Sequence, residues 1–263
     1  MFMPVFAKKR IIDVEVNMQN QIDQLKTYYA AAGSIVFFGG AGVSTESGIP
    51  DFRSRGGLYK PDLNRNCYQY EHPPEVMLSR SFFKSHTSEF YRFYRDKMVH
   101  TAAKPNRAHA ALAEMERVGK LKAVITQNVD GLHQAAGSKN VIELHGSMHR
   151  NFCMSCRAPH TLDAVLQADD IPLCKCGGII KPDIVLYEEG LDDNVMRDAT
   201  YHISNADMLI IGGTSLVVYP AAWLIEYFDG DKLVVINKGE THIDSRAGLV
   251  IQESIGEVLH AIV

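Results

Sequence analysis

Short apolar runs recur along this chain, separated by stretches with a helical period. From Gln19, the residues Ile22, Leu25 and Tyr29 fall on one stripe, predicting a helix that ends at Gly33, where glycine can cap it. Ser34-Ile-Val-Phe-Phe38 follows, a β-branched and aromatic run that reads as a buried strand. Comparable runs lie at Lys122-Ala-Val-Ile-Thr126, Met208-Leu-Ile-Ile211 and Lys232-Leu-Val-Val-Ile236. Helical patterns separate them at about 107–118, 192–204 and 220–228. This alternation predicts an α/β fold whose parallel sheet has helices on both faces. Residues 1–19 show no clear period and read as an N-terminal arm.

Each predicted strand is followed by small or polar residues: Gly39 to Gly42, then Gln127, Asn128 and Asp130, then Gly212 to Ser215, and finally Asn237. Ligands of open parallel sheets bind at the carboxyl ends of the strands, so these turns predict one nucleotide site on a Rossmann-like sheet. Alone, Gly40-x-Gly42 is an ordinary tight turn, and Thr45 stands where a dehydrogenase fingerprint has its third glycine. Its position right after a strand, with a short helix expected from Ser44, would let free amides face a pyrophosphate. Hydride transfer fits less well, because no acidic residue ends a second strand to hold an adenosine ribose. Asn237 could bond ribose hydroxyls instead.

Composition narrows the class. The 263 residues are 46% hydrophobic and 22% charged with a net charge of -4, a balance that gives no basic field for nucleic acid or anionic membrane. The most apolar stretch, Ile35 to Gly42, falls far short of the roughly 20 residues of a membrane helix. No signal-peptide core is present at the N-terminus, so a cytoplasmic location is expected. Four of the five cysteines form one spaced set, Cys153-x-x-Cys156 and Cys174-x-Cys176, and Cys67 stands apart as a free thiol. Two close pairs on separate turns supply a tetrahedral Zn²⁺ site, and reduced thiols favour metal over disulfides. With all four positions taken by protein, the zinc is expected to be structural.

Beyond the glycines, the run Gly40-Ala-Gly-Val-Ser-Thr-Glu-Ser-Gly-Ile-Pro-Asp-Phe-Arg-Ser54 resembles the NAD-binding signature of the sirtuins. Thr126-Gln-Asn-Val-Asp-Gly-Leu-His133, Glu143-Leu-His-Gly146, the cysteine pairs, Lys181-Pro-Asp-Ile-Val185, Gly213-Thr-Ser215 and Ile236-Asn237 extend the resemblance in order, in a form similar to bacterial members. It implies a protein-lysine deacylase that consumes NAD as a co-substrate, most simply a deacetylase, releasing nicotinamide, deacylated lysine and O-acyl-ADP-ribose. His145 matches the family's general base, and an imidazole suits proton removal at neutral pH. Asn128 would place a water or ribose hydroxyl, Asp130 would bond the carboxamide, and Gln127 would lie near the ribose. Asp51, Phe52 and Arg53 resemble a cofactor loop that shields the reacting ribose and orients the phosphates. Ala41, Thr45, Thr214, Ser215 and Asn237 complete the expected dinucleotide contacts beside Gly40, Gly42 and Gly213, with adenine near Ser254 and Ile255. His133 reads as a structural neighbour.

The resemblance also implies that an extended acyl-lysine peptide adds as a strand along Val185 to Leu191, touching Val185 and Tyr187. Glu188 and Glu189 read either as selectors of basic flanks or as solvated loop carboxylates. Desuccinylating relatives carry Tyr and Arg three residues apart on the helix lining the acyl pocket, whereas here Tyr94 follows Tyr91, favouring neutral acyl groups. ADP-ribosyl transfer to protein and a non-catalytic NAD-sensing scaffold are the alternative activities. The expected division is an NAD-binding domain of 20–52, 100–148 and 182–263, a cofactor loop and helical insertion of 53–99, and a zinc module of 149–181. Oligomeric state is not legible.

Overall fold

The strands, in chain order, are β1 (Ile35–Gly39), β2 (Leu121–Thr126), β3 (Val141–Glu143), β4 (Gly146–Cys153), β5 (Pro159–His160), β6 (Ile180–Ile184), β7 (Met208–Gly212), β8 (Lys232–Ile236) and β9 (Leu249–Ile251). The helices are α1 (Val5–Ala31), α2 (Pro74–Met77), α3 (Arg80–Ser85), α4 (Thr87–Phe93), α5 (Arg107–Arg117), α6 (Leu132–Ala135), α7 (Leu162–Leu166), α8 (Asp193–Ser204) and α9 (Ile255–His260). They come from a computed structural model that describes residues 5–52, 57–58 and 70–263, with side chains from residue 16 onward.

Six strands form a sheet in the order β3-β2-β1-β7-β8-β9, and every neighbouring pair is parallel. β1 is buried along its whole length because both faces are covered. Ile35 and Phe37 point into a core shared with α1, α5 and α9 through Leu25, Leu112, Met115 and Leu259. Val36 and Phe38 point into the opposite core with Ala199 and Ile203 of α8 and with Ala221, Leu224 and Ile225. Alternating side chains packed on two helical layers explain why these strands read as continuous apolar runs.

A second sheet, β5-β4-β6, is antiparallel. Its core joins Met148, Ile180 and Ile184 to Met77, Phe82, Phe83, Phe90, Tyr91 and Tyr94, so side chains far apart in sequence share one cluster. Asn106 starts α5 with a capping box, its side chain accepting from Ala108 and His109 amides while His109 reaches back to the Asn106 amide.

Several elements differ from expectation. α1 begins at Val5, well before Gln19, because no glycine or proline interrupts the chain until Gly33. No α-helix starts at Ser44. Two 3-10 turns, Ala41–Val43 and Thr45–Ser47, occupy that stretch, and Gly48 closes the second at φ 83. The stretch expected as a helix at 220–228 is also 3-10, Ala221–Tyr227.

Candidate active site at the strand ends

Register brings the strand ends level. Gly39 pairs with Thr126 on one side and with Gly212 on the other, and Gly212 pairs with Ile236, so four loops emerge from one row. The order reverses between β1 and β7, the crevice where open parallel sheets bind ligands. A cavity of about 610 Å³ opens there. Gly40, Ala41, Gly42, Thr45, Asp51, Phe52, Gln127, Asn128, Asp130, His145, Val185, Tyr187, Gly213, Thr214, Ser215 and Asn237 all line it. Ile255 does so as well. Arg53 and Cys67 lie outside the described residues.

Contact between the β1 and β7 loops requires glycine. A Cβ on Gly42 would stand 2.7 Å from Gly213 Cα and 2.8 Å from its carbonyl oxygen. The Gly42 amide instead donates to that oxygen at 2.8 Å. Val43 and Ser44 donate back to Gly40 and Ala41, each at 3.0 Å, so these amides are spent within the turn. The row of free amides expected at a helix start is therefore absent at these three positions.

Side chains tie the loops together. Asn128 donates through Nδ2 to Gly40 O and to Ser44 Oγ, both at 3.1 Å, which leaves its amide oxygen for a ligand. Ser44, buried, donates to Asp130 Oδ2 at 2.6 Å, and the other Asp130 oxygen accepts the Leu132 amide at 2.9 Å. Gln127 Nε2 donates to Thr214 Oγ1 at 3.1 Å, linking the β2 and β7 ends. Ser44 escaped sequence reasoning as a site residue, although it sits inside the motif. Its role is visible only once two loops meet.

His145 is held through one nitrogen of its ring. Nδ1 lies 2.9 Å from the Gln127 carbonyl, which can only accept, so Nδ1 carries the proton and Nε2 keeps its lone pair. Burial lowers the His145 pKa, and the same backbone bond opposes the shift. The imidazole is therefore neutral at physiological pH. Gly146 follows at φ 77, and a Cβ there would run into the Asp183 carbonyl, so the residue after the histidine must be glycine. His133, by contrast, is buried against His109 with ring centroids 4.6 Å apart. Burial and then the neighbouring His109 push it down to about 3, while burial takes His109 down to about 4. His133 does not line the cavity.

One wall is the chain after β6. The Val185 amide donates to the His145 carbonyl at 3.0 Å, and Tyr187 pairs in parallel fashion with Ser79. Both acids beyond it are engaged locally. Glu188 accepts from the Ser81 amide and hydroxyl at 2.9 and 2.8 Å, and Glu189 accepts from the Leu186 amide at 2.9 Å and from Lys181 Nζ at 3.2 Å. These bonds favour a structural role for the pair over selection of basic flanks. Tyr91 and Tyr94 do not line the cavity; both are fully buried, and the Tyr91 hydroxyl donates to the Ile180 carbonyl. Arg95 is bound to the carbonyls of Val165 and Asp170, and Arg92 pairs with Glu89. Met98, His100, Leu186 and Met148 also line the cavity, as do Val218, Tyr219 and Pro220. No motif announces these residues, because tertiary packing rather than local pattern brings them to the cavity.

The four cysteines converge away from this cavity. Their sulfurs all lie within 4.8 Å of one another, with Cys153 to Cys176 at 3.4 Å and Cys156 to Cys174 at 3.7 Å. Four sulfurs about 2.3 Å from a tetrahedral Zn²⁺ would be spaced about 3.8 Å apart. The set fits a structural zinc site and is too widely spaced for disulfides.

Fold and site together define a dinucleotide-binding α/β protein whose second sheet lies beside a four-cysteine cluster fitted to zinc. The Sir2 family model matches residues 40–220. A NAD-dependent protein deacetylase of Clostridium acetobutylicum is 59% identical over 246 residues, spanning 93% of this chain and 98% of that protein. Another, of Clostridium tetani, is 57% identical over 241 residues, or 91% and 96% of the two chains. A solved Sir2 structure with a deacetylated p53 peptide and 3'-O-acetyl ADP-ribose superposes with a TM-score of 0.82 at 39% identity, covering 92% of this chain and 96% of that one. The chain belongs to the Sir2 family.

Proposed function

We propose that this protein is a NAD-dependent protein-lysine deacylase, acting chiefly on acetyl-lysine in polypeptides. The observation that carries the reading is the His145 imidazole, neutral and with a fixed tautomer, in one cavity with Asn128, Asp130 and the chain after β6. NAD supplies the ribose carbon that the acyl oxygen attacks as nicotinamide leaves. The protein's task is then to hold that ribose, keep water out and accept a hydroxyl proton at His145 Nε2. Asn128 has its donors bound and its amide oxygen available for a ribose hydroxyl or water. Asp130 is oriented by Ser44 and the Leu132 amide and can accept from a carboxamide.

Gly40, Ala41, Gly42, Thr45, Gly213, Thr214, Ser215 and Asn237 are the proposed dinucleotide contacts, with Gln127 near the ribose and Asp51 and Phe52 closing over it. Val185 and Tyr187 are the proposed peptide contacts. Cys153, Cys156, Cys174 and Cys176 hold one structural zinc and take no part in the chemistry. Among the described residues no arginine lines the cavity, which supports neutral acyl groups over succinyl. No described helix is long and apolar enough to cross a membrane. Four cysteines arranged for a metal rather than for disulfides support a cytoplasmic location.

Nicotinamide release over a panel of acyl peptides, run beside His145→Ala, tests the activity, and mass spectrometry identifies O-acyl-ADP-ribose. Undiminished release by the variant would overturn the mechanism. A large preference for succinyl over acetyl peptides would overturn the acyl assignment.

A further inference from the structure

The chain that leaves β7 carries an exposed aromatic pair, one ring of which borders the cavity. Tyr219 lines the cavity, and its ring packs 5.2 Å from that of Trp223 at an angle of 58°. Neither ring is covered: Tyr219 is 55% and Trp223 62% exposed, and Val217 beside them is 52% exposed. A single exposed apolar residue on a protein surface is ordinary, whereas a cluster continuous with a cavity marks a binding surface.

The backbone is built to present this pair. Leu216 adopts φ 54, a left-handed conformation disfavoured by any residue with a Cβ, and its side chain is nevertheless buried. Its amide donates to Thr214 Oγ1 at 3.2 Å. From that anchor the chain turns outward at Val217 and then enters the Ala221–Tyr227 turn, whose Ala221, Leu224 and Ile225 are locked into the core beneath the sheet. Trp223 is thus held facing water on a fixed support. Glu226, the acid in the same turn, is committed to Arg246 through both carboxylate oxygens at 2.6 Å.

We propose that Tyr219 and Trp223 form an aromatic platform that seats a large apolar side chain of the substrate polypeptide, flanking the acyl-lysine. This rests on the deacylase reading. The cavity that the acyl-lysine would enter is lined by Val185 and Tyr187 and also by Val218 and Tyr219, so a bound polypeptide runs close to the aromatic pair. An extended chain there presents alternate side chains in opposite directions, and a residue turned toward Tyr219 reaches a ring that packs on the exposed Trp223. Tyrosine and tryptophan are the residues that most often dominate recognition energy in such contacts, and their faces favour apolar or aromatic partners. The substrate class is therefore acyl-lysine polypeptides with a bulky aliphatic or aromatic neighbour.

Trp223 is the one tryptophan of the chain, so its emission reports directly on the platform. The test moves a single leucine or phenylalanine through the flanks of an otherwise alanine-rich acetyl-lysine peptide and records both Trp223 emission and nicotinamide release. At the responsive position, emission shifts and KM falls by about threefold to tenfold relative to the alanine peptide. Trp223→Ala abolishes that KM difference, and Trp223→Phe retains most of it. Release from every peptide at a single KM with unchanged emission overturns the platform alone. No release from any peptide overturns the deacylase reading beneath it. A concentration-dependent dimer in gel filtration, lost in Trp223→Ala, would mean that a second copy covers the patch, and would also overturn the proposal.

Discussion

The two sheets of this molecule devote their polar residues to different ends. On the parallel sheet, Asn128, Asp130, Gln127 and Thr214 bridge three strand-end loops, those after β1, β2 and β7, with hydrogen bonds that leave further acceptors facing a cavity. Beside the antiparallel sheet, at the end of β4 and in the segments after β4 and before β6, the reactive groups are four thiols gathered on one another. One region has a continuous apolar core on each face and can leave its rim open for chemistry. The other is a three-stranded sheet with strands as short as two residues that shares one buried core with the helices α2 to α4, and a metal held by the four cysteines would add to the stability of so small a unit. The contrast teaches where each kind of damage should appear: loss of the metal should act on structure, and loss of a rim residue on rate.

The largest expected effect comes from the metal side. Structural zinc contributes on the order of 10 kcal/mol or more to folding its site. Cys174→Ala should therefore abolish zinc binding and nicotinamide release together, with zinc content measured by atomic emission and loss of tertiary structure by near-ultraviolet circular dichroism. Full activity in a zinc-free protein would break the comparison. Next in size is His145→Ala, which should lower kcat by about 10² to 10⁴-fold while leaving zinc content and the unfolding temperature near those of the parent. Calorimetric titration with NAD separates this from loss of cofactor. A variant that also loses zinc would show that the two regions are not separable.

Legibility in the sequence follows the same divide. The four long strands of the parallel sheet are visible because burial on both faces makes them continuous apolar runs. β3 and β9 are only three residues each and carry no such run. The antiparallel sheet escapes because β4 includes Ser147, His149, Arg150 and Asn151, and its pairing with β6 shifts register between Ser147 and Asn151. The rim residues are legible as small and polar groups after strands. The resemblance to a known family names their chemistry, which spacing alone leaves open. Ser44 to Ser47 looks like a helix start, yet the chain closes each turn early and reaches Gly48 in a left-handed conformation, so tertiary contact between the β1 and β7 loops overrides local preference. Met98, His100 and Tyr219 have no local signal at all.

A glycine comparison sharpens the rim itself. Gly42→Ala places a methyl group 2.7 Å from Gly213 Cα, which should cost about 1–3 kcal/mol and weaken NAD binding, as read by thermal unfolding and titration. Gly190→Ala, with nothing within 4 Å of the added atom, should stay within about 0.5 kcal/mol of the parent. Equal effects at the two positions would mean that the close approach of the β1 and β7 loops is not what the glycine serves.

Two sets of histidines give the finest test, because they share a sign and differ in consequence. His109 and His133 are buried, with pKa values pushed down to about 4 and about 3. Between those values and the unfolded value near 6.5, the unfolded chain binds more protons, so stability falls as pH drops below about 6.5, by up to roughly 1.4 kcal/mol per pH unit for each histidine. Denaturant titrations at successive pH values measure that slope, and a flat profile from neutral to mildly acidic pH would contradict it. His145 is also lowered, again by burial, but it titrates at the open rim, where the readout is rate. A general base works only when unprotonated, so kcat/KM should fall on the acid side through a pKa below the usual 6.5. At pH 7 most of the base is then already free, and raising the pH to 8 should increase kcat/KM by less than about 1.3-fold through this group. An acid limb centred above 6.5 would mean that the Gln127 carbonyl, which favours the charged ring, outweighs burial at His145, and the rim histidine would then differ from the buried pair in sign as well as in place.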